Sequence, residues 1–198
     1  MTPATKRITE TAAVLAMLYG ARRYYRNWGA TKAECRMVLP GDALVADPAI
    51  QTTEAVYIDA PASAVWSCLL QMRRHRGSPI AQPPAVGDVV RLAPEGWMGL
   101  PNGVTLGVAE IVPEKHIVLD ATRPDMRWNA VWSFHVEPHW EDRVRLLTRV
   151  RIALRHPGEV FAMELARPMV ALGTRGSLLR IKRRVDADDR AGAGILVR

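Results

Sequence analysis

Two periodicities divide this chain. Between residues 144 and 154 apolar and polar positions alternate: Val144, Leu146, Thr148, Val150, Ile152 and Leu154 fall on one side. Arg145, Arg149, Arg151 and, beyond them, Arg155 fall on the other. A period of two marks a strand with one face buried, and predicts the arginines on the solvent side. Trp128, Ala130, Trp132, Phe134 and Val136 repeat the pattern one strand earlier. Further strands are predicted over 50–59, 87–92, 104–112 and 116–121, the last two joined by Val112-Pro113-Glu114-Lys115. From Pro157 to Arg184 the period changes. Phe161, Leu165, Met169, Leu172, Gly176 and Leu179 recur at helical spacing and predict one long amphipathic helix. Pro168 removes a backbone donor within it and predicts a kink.

Such a helix needs a matching apolar surface, and the strands before it supply one. The predicted architecture is α+β: a curved antiparallel sheet of about six strands gripping a long C-terminal helix. Pro61 sits where the first turn of another helix is expected, over 62–72, between the first and second strands. Thr31-Lys32-Ala33-Glu34 fits a capping box and predicts a short helix to about Met37. Leu39-Pro40-Gly41-Asp42 is a turn signal, and Arg73–Val86 and Ala93–Gly103 read as loops. Residues 1–27 are expected as a helical extension, 28–185 as the domain, and 186–198 as a flexible tail.

Composition adds few constraints. The 198 residues are 48% hydrophobic and 24% charged, ordinary for a globular domain. The longest early apolar run, Ala12 to Tyr19, is too short to span a membrane, and no small-x-small cleavage site follows it. A cytoplasmic location is expected. Net charge is +7, but arginines are spread along the chain, so a solvated basic surface is expected and no specific nucleic-acid partner. Arg180, Lys182, Arg183 and Arg184 form the densest basic cluster. Tyr24, Tyr25 and the neighbouring arginines suit segment 1–27 to weak contact with a membrane surface. Cys35 and Cys68 are the two cysteines and are expected reduced.

Candidate chemistry is sparse. His135 and His139 are four apart but straddle Pro138 at a strand end, and no Cys/His set accompanies them, so no metal site and no cofactor are expected. An acid–base group has to face the interior, and strand parity nominates Glu110, with Asp120 and His135 behind it. Trp97, Met98, Trp128, Trp132, Phe134, Met163, Met169 and Leu172, with Thr148, are the candidate lining of an apolar pocket. The floor of that pocket is expected under 163–172.

The order of these features resembles the SRPBCC superfamily, the START-like or birch-pollen-allergen helix-grip proteins. The resemblance rests on Trp28-Gly29-Ala30-Thr31, Leu39-Pro40-Gly41-Asp42, the step from Ala60-Pro61 to Val65-Trp66, Gln71-Met72 and Gly87-Asp88. Trp132-Ser133-Phe134, Arg145-Leu146 with Arg149 and Arg151, and Ile181-Lys182-Arg183-Arg184 continue it. Together they look like an actinobacterial branch with polyketide cyclase/dehydratase-like members, matched over roughly 27–184. The resemblance implies a small hydrophobic partner, such as a lipid or polyketide, held between sheet and helix. It also implies cyclase- or dehydratase-type chemistry as the alternative. The pattern departs at Arg73–Val86, where a short Pro- and Arg-rich link replaces a longer aromatic segment.

Overall fold

A computed structural model describes residues 27–72, 84–93, 104–121, 128–154 and 160–195, together with Gly158 and ten positions between 7 and 20 that are helical. The chain runs α1 (Lys32–Arg36), a 3-10 turn (Asp42–Val45), β1 (Ile50–Ile58), α2 (Ala62–Met72), β2 (Val89–Ala93), β3 (Val104–Val112), β4 (His116–Asp120), β5 (Trp128–Trp140), β6 (Arg143–Leu154) and α3 (Val160–Ile195). The six strands form one antiparallel sheet in the order β1-β6-β5-β4-β3-β2. The first and last strands in sequence are therefore neighbours, and β6 lies inside the sheet.

The sheet has two covered faces. On the inner face Val108, Ile117, Leu119, Phe134, Val136, Val144 and Leu146 pack with Val65, Trp66 and Leu69 of α2 and with Leu178, Ile181 and Val185 of α3. The hydrophobic alternation of β5 and β6 forms this face as the sequence predicts. The helix turns a different stripe towards it. Ala171, Thr174, Leu178, Ile181 and Val185 are buried, whereas Met169 and Leu172 are 50% and 48% exposed. Thr174 and Ser177 break the apolar pattern in the sequence. Their hydroxyls donate to helix carbonyls, Thr174 Oγ1 to Val170 and Ala171 and Ser177 Oγ to Thr174, so these small polar residues can be buried. The helix is 36 residues long, runs through Pro168, and includes residues 186–195, which the sequence assigns to a tail.

The outer face is not a solvated arginine surface. Arg149 is 1% exposed and Arg145 7%. Residues 27–46 lie across these side chains. Arg149 donates from Nε to Thr53 Oγ1 (3.0 Å), from Nη1 to Met37 O (2.8 Å) and Asp42 Oδ2 (2.6 Å), and from Nη2 to Glu34 O (2.6 Å). Arg151 donates to the carbonyls of Val45 and Ala46 and stands 3.3 Å from Asp42. Arg145 holds both Glu34 carboxylate oxygens, at 2.8 and 3.0 Å, and the Gly29 carbonyl. Glu34 also closes the capping box with Thr31. The hydrogen bonds from Arg145, helped by its charge, hold the Glu34 carboxyl below the usual range. The turn signal at 39–42 therefore brings in the counter-ion of a buried cation.

Two glycines let this cover sit close. Gly29 has φ +72°, and a Cβ there would run into the Ala55 carbonyl. Gly41 has φ +90° and rests against Val118 and Val131, where a Cβ would stand 2.6 Å from Val118. The same segment closes the free edge of β1: Ala55 N donates to Trp28 O and Thr53 N to Asn27 Oδ1. Neither Cys35 nor Cys68 is joined in a disulfide.

Removing one partner of a buried ion pair leaves the other uncompensated and typically costs about 3–5 kcal/mol. Asp42→Asn and Arg149→Met are expected to lose about that much in urea unfolding, with Arg149→Met the worse because two carbonyls also lose a donor. Combining Arg149→Met with Asp42→Leu should cost less than the sum of the single changes. Losses under about 1 kcal/mol would show that the cover is held in some other way.

Candidate functional site

The residues with chemical potential divide between the two faces. In β3 a bulge between Val108 and Glu110 shifts the register, so that Val108 opposes inner-face Leu119 and Glu110 opposes outer-face Val118. One extra residue reverses parity, which places Glu110 away from α3 rather than towards it. There its carboxylate meets His116 Nε2 at 2.8 Å. Asp120 pairs with Val131 and His116 with His135, so both Asp120 and His135 also belong to the outer face. His135 is buried beneath the cover, with its Nε2 2.9 Å from Ser133 Oγ. Burial, helped by the nearby His116 and Arg149 charges, pushes its pKa down to about 4, against a small opposing pull from Asp42. None of the three acid–base candidates faces the helix.

The inner face carries a different set. Across the sheet, Glu54 of β1 stands beside Thr148 of β6, which stands beside Phe134 of β5. The next row is Thr52, Val150 and Trp132. Trp132 and Phe134 rings lie 5.1 Å apart and are tilted by 36°. Trp132 Nε1 donates to Thr148 Oγ1 at 2.7 Å, and Thr148 Oγ1 donates to the Ser133 carbonyl at 3.0 Å. Val150, Ile152 and Ile50 continue the wall towards Val170 of α3. Trp132, Phe134 and Thr148 are thus brought together in contact. Met169 and Leu172 point away from this wall. Trp128 and Met163 belong to β5 and α3, but their side chains lie outside the described residues, as do Trp97 and Met98 altogether.

Glu54 is the residue that the strand reading passed over. It is fully buried, and among the described residues neither carboxyl oxygen has a hydrogen-bond partner. Thr52 Oγ1, two residues earlier on the same face, is also buried without one. Burial pushes the Glu54 carboxyl up to about 7, only partly offset by the Thr174 hydroxyl and the Arg175 charge on α3. The Thr174 hydroxyl donates to its own helix, as described above. Arg175 in turn stacks its guanidinium 4.8 Å above the Trp28 ring. The missed signal was parity: Glu54 alternates in step with Ile50, Val56 and Ile58.

Away from this face, a depression of about 440 Å³ lies on the exposed side of α3 among Gly176, Leu179, Arg180, Arg183 and Arg184. In the basic cluster, Lys182 and Arg184 are tied to the Tyr57 carbonyl and to Gln71. Among the described residues no group of three or more His, Cys, Asp or Glu side chains is placed to hold a metal. No helix among them is long and apolar enough to cross a membrane.

No family model matches the chain, and no curated protein is similar to it in sequence. Solved structures are similar in shape. A point mutant of norcoclaurine synthase from Thalictrum flavum, in complex with a transition-state analogue, is 14% identical. The match covers 71% of this chain and 96% of that one, with a TM-score of 0.53. A Polyketide_cyc-like protein from Corynebacterium glutamicum is 16% identical over 70% of this chain and 92% of that one, with a TM-score of 0.47. At such identities the likeness is one of fold. The architecture is the helix-grip fold that the sequence predicts.

Two opposed pH effects follow. A carboxyl whose folded pKa is raised stabilises the fold fully below its unfolded value, near 4.5, and that contribution is lost as pH rises towards 7. A histidine whose folded pKa is depressed stabilises fully above about 6.5 and loses its contribution as pH falls towards 4. Relative to wild type, Glu54→Gln is expected to gain on the order of 3 kcal/mol between pH 4 and pH 8, and His135→Gln a similar amount between pH 7 and pH 4. Urea unfolding across this range checks both; parallel curves for wild type and variant would exclude the burial assigned to that residue.

Proposed function

From this helix-grip architecture, we propose that the chain binds a small hydrophobic molecule, of lipid or polyketide character, between the inner face of the sheet and α3. The observation that carries the reading is the inner wall itself. Trp132 and Phe134 join Val150 and Ile152 into a continuous apolar surface, and the Trp132–Thr148 hydrogen bond is set within it. Apolar walls with few fixed polar groups are typical of small-molecule sites. Trp132 remains only half-buried although it belongs to the central part of the sheet, which leaves ring surface for a ligand to cover. Burying such surface is worth about 25 cal/mol per Å². The norcoclaurine synthase structure, which has the same fold, is likewise a complex with a small molecule. The helix contributes Val170 to the edge of the wall, and Trp97, Met98, Trp128 and Met163 remain part of the proposed lining.

Cyclase- or dehydratase-type catalysis through Glu110, Asp120 or His135 is not supported, because all three side chains belong to the face opposite α3. Chemistry at the proposed site would have to use Glu54. No cofactor enters this reading, and segment 1–27 has no role in it.

Native mass spectrometry of the purified full chain is expected to show a bound species that is lost on denaturation and recovered in organic extract. Saturating ligand at 100 times Kd should stabilise the fold by about 2.7 kcal/mol, seen as a rise in Tm. Trp132→Ala should weaken that binding by about tenfold or more. A bare mass from independent preparations, with no Tm shift across a panel of apolar compounds, would refute the reading.

A further inference from the structure

Glu54 and Thr52 make a demand that the protein leaves unmet. Both are buried on the inner face of β1, and their three side-chain oxygens lack partners among the described residues. They are two residues apart on one strand, so their Cα atoms are about 6.5–7 Å apart and one small group can touch both. Polar atoms buried this deeply normally find a partner in protein, ligand or ordered water. The hydroxyls nearest to them are already engaged: Thr148 accepts from Trp132 and donates to the Ser133 carbonyl, and Thr174 donates within its helix. Among the described residues, the charged group facing Glu54 is Arg175, across from it on α3.

Building on the proposed ligand site under α3, we propose that its ligand presents an alcohol or phenol hydroxyl to Glu54 and Thr52. A hydroxyl fits both residues at once, donating to the Glu54 carboxyl and accepting from the Thr52 hydroxyl. An ammonium group could also donate to both residues, but Arg175 already places a cation opposite the carboxyl. A carboxylate ligand cannot donate to Glu54, and its charge repels the ionised form of that carboxyl. A fully apolar ligand leaves all three oxygens unsatisfied, at a cost that the hydroxyl reduces by partnering two of them. The site therefore selects hydroxylated apolar molecules over their hydrocarbon and acid counterparts.

Two scaffolds with exchanged end groups test this by calorimetry on the full chain at pH 7: naphthalene, 2-naphthol and 2-naphthoate, and octane, 1-octanol and octanoate. In at least one scaffold the hydroxyl compound is expected to bind about tenfold or more tightly than the hydrocarbon, with the acid weaker than both. Glu54→Leu should bring hydroxyl and hydrocarbon to equal affinity, and Thr52→Val should reduce the difference. Circular dichroism and Tm establish that each variant is folded; if Glu54→Leu is not, Thr52→Val carries the comparison. Equal binding of hydroxyl and hydrocarbon by the wild type, or preference for the acid, would overturn the proposal while leaving the ligand site standing. An unchanged hydroxyl preference in the folded variants would overturn it too. Failure of all six compounds to bind would remove the ligand site and this proposal together.

Discussion

A guanidinium buried in the middle of a sheet has to be answered by the rest of the chain. Arg149 lies on β6, between β1 and β5, where neighbouring strands shield it on both sides. An unpaired cation there would cost several kcal/mol. The segment before β1 meets the demand with one carboxylate, Asp42, and with the carbonyls of Glu34 and Met37. Because those acceptors are spread over residues 34–42, satisfying Arg149 fixes the path of the whole segment. Arg145 and Arg151 fasten its two ends, and the glycines at 29 and 41 permit the close approach. The pairing contributes less to net stability than its hydrogen bonds suggest, since desolvation offsets much of it. Its main effect is to specify where the cover lies.

Covering the outer face leaves the inner face as the place for the proposed ligand. The outer layer is closely packed: Val45, Val118 and Val131 form a small core of their own, and burial on the same face holds His135 neutral. On the inner face the packing is divided. Towards α2 and the C-terminal half of α3 it is a conventional apolar core. Towards β1 and residues 170–175 it includes Glu54, Thr52, Thr174 and Arg175 among apolar neighbours. A fold selected for stability alone would fill that region with aliphatic side chains. Rule-breaking residues confined to one region of an otherwise consistent core are where function is expected.

Much of this fold was legible in the sequence. Alternation in β5 and β6 assigned their inner faces correctly, and the Thr31–Glu34 capping box and the helix after Pro61 were plain in local chemistry. The site was less legible, for identifiable reasons. The bulge near Ala109 cannot be seen in a parity count, and it moved Glu110 to the opposite face. Hydroxyl residues that bond to their own helix look polar in sequence but can be buried, and this rotated the expected stripe of α3 away from Met169 and Leu172. Alternating arginines read as solvent-facing because the sequence does not show what covers a strand. Glu54 was the converse case: a charged residue in phase with Ile50, Val56 and Ile58, and so directed inwards.

The ionisation of Glu54 tests most directly whether the inner face holds an unpaired carboxyl. Carbon-13 labelling of glutamate side chains, followed by NMR through a pH titration, reads each carboxyl separately. One resonance, absent from Glu54→Gln, is expected to titrate near pH 7. If the Glu54 resonance instead titrates near the ordinary 4.5, the carboxyl is solvated or paired, and its place as a buried group awaiting a ligand is contradicted.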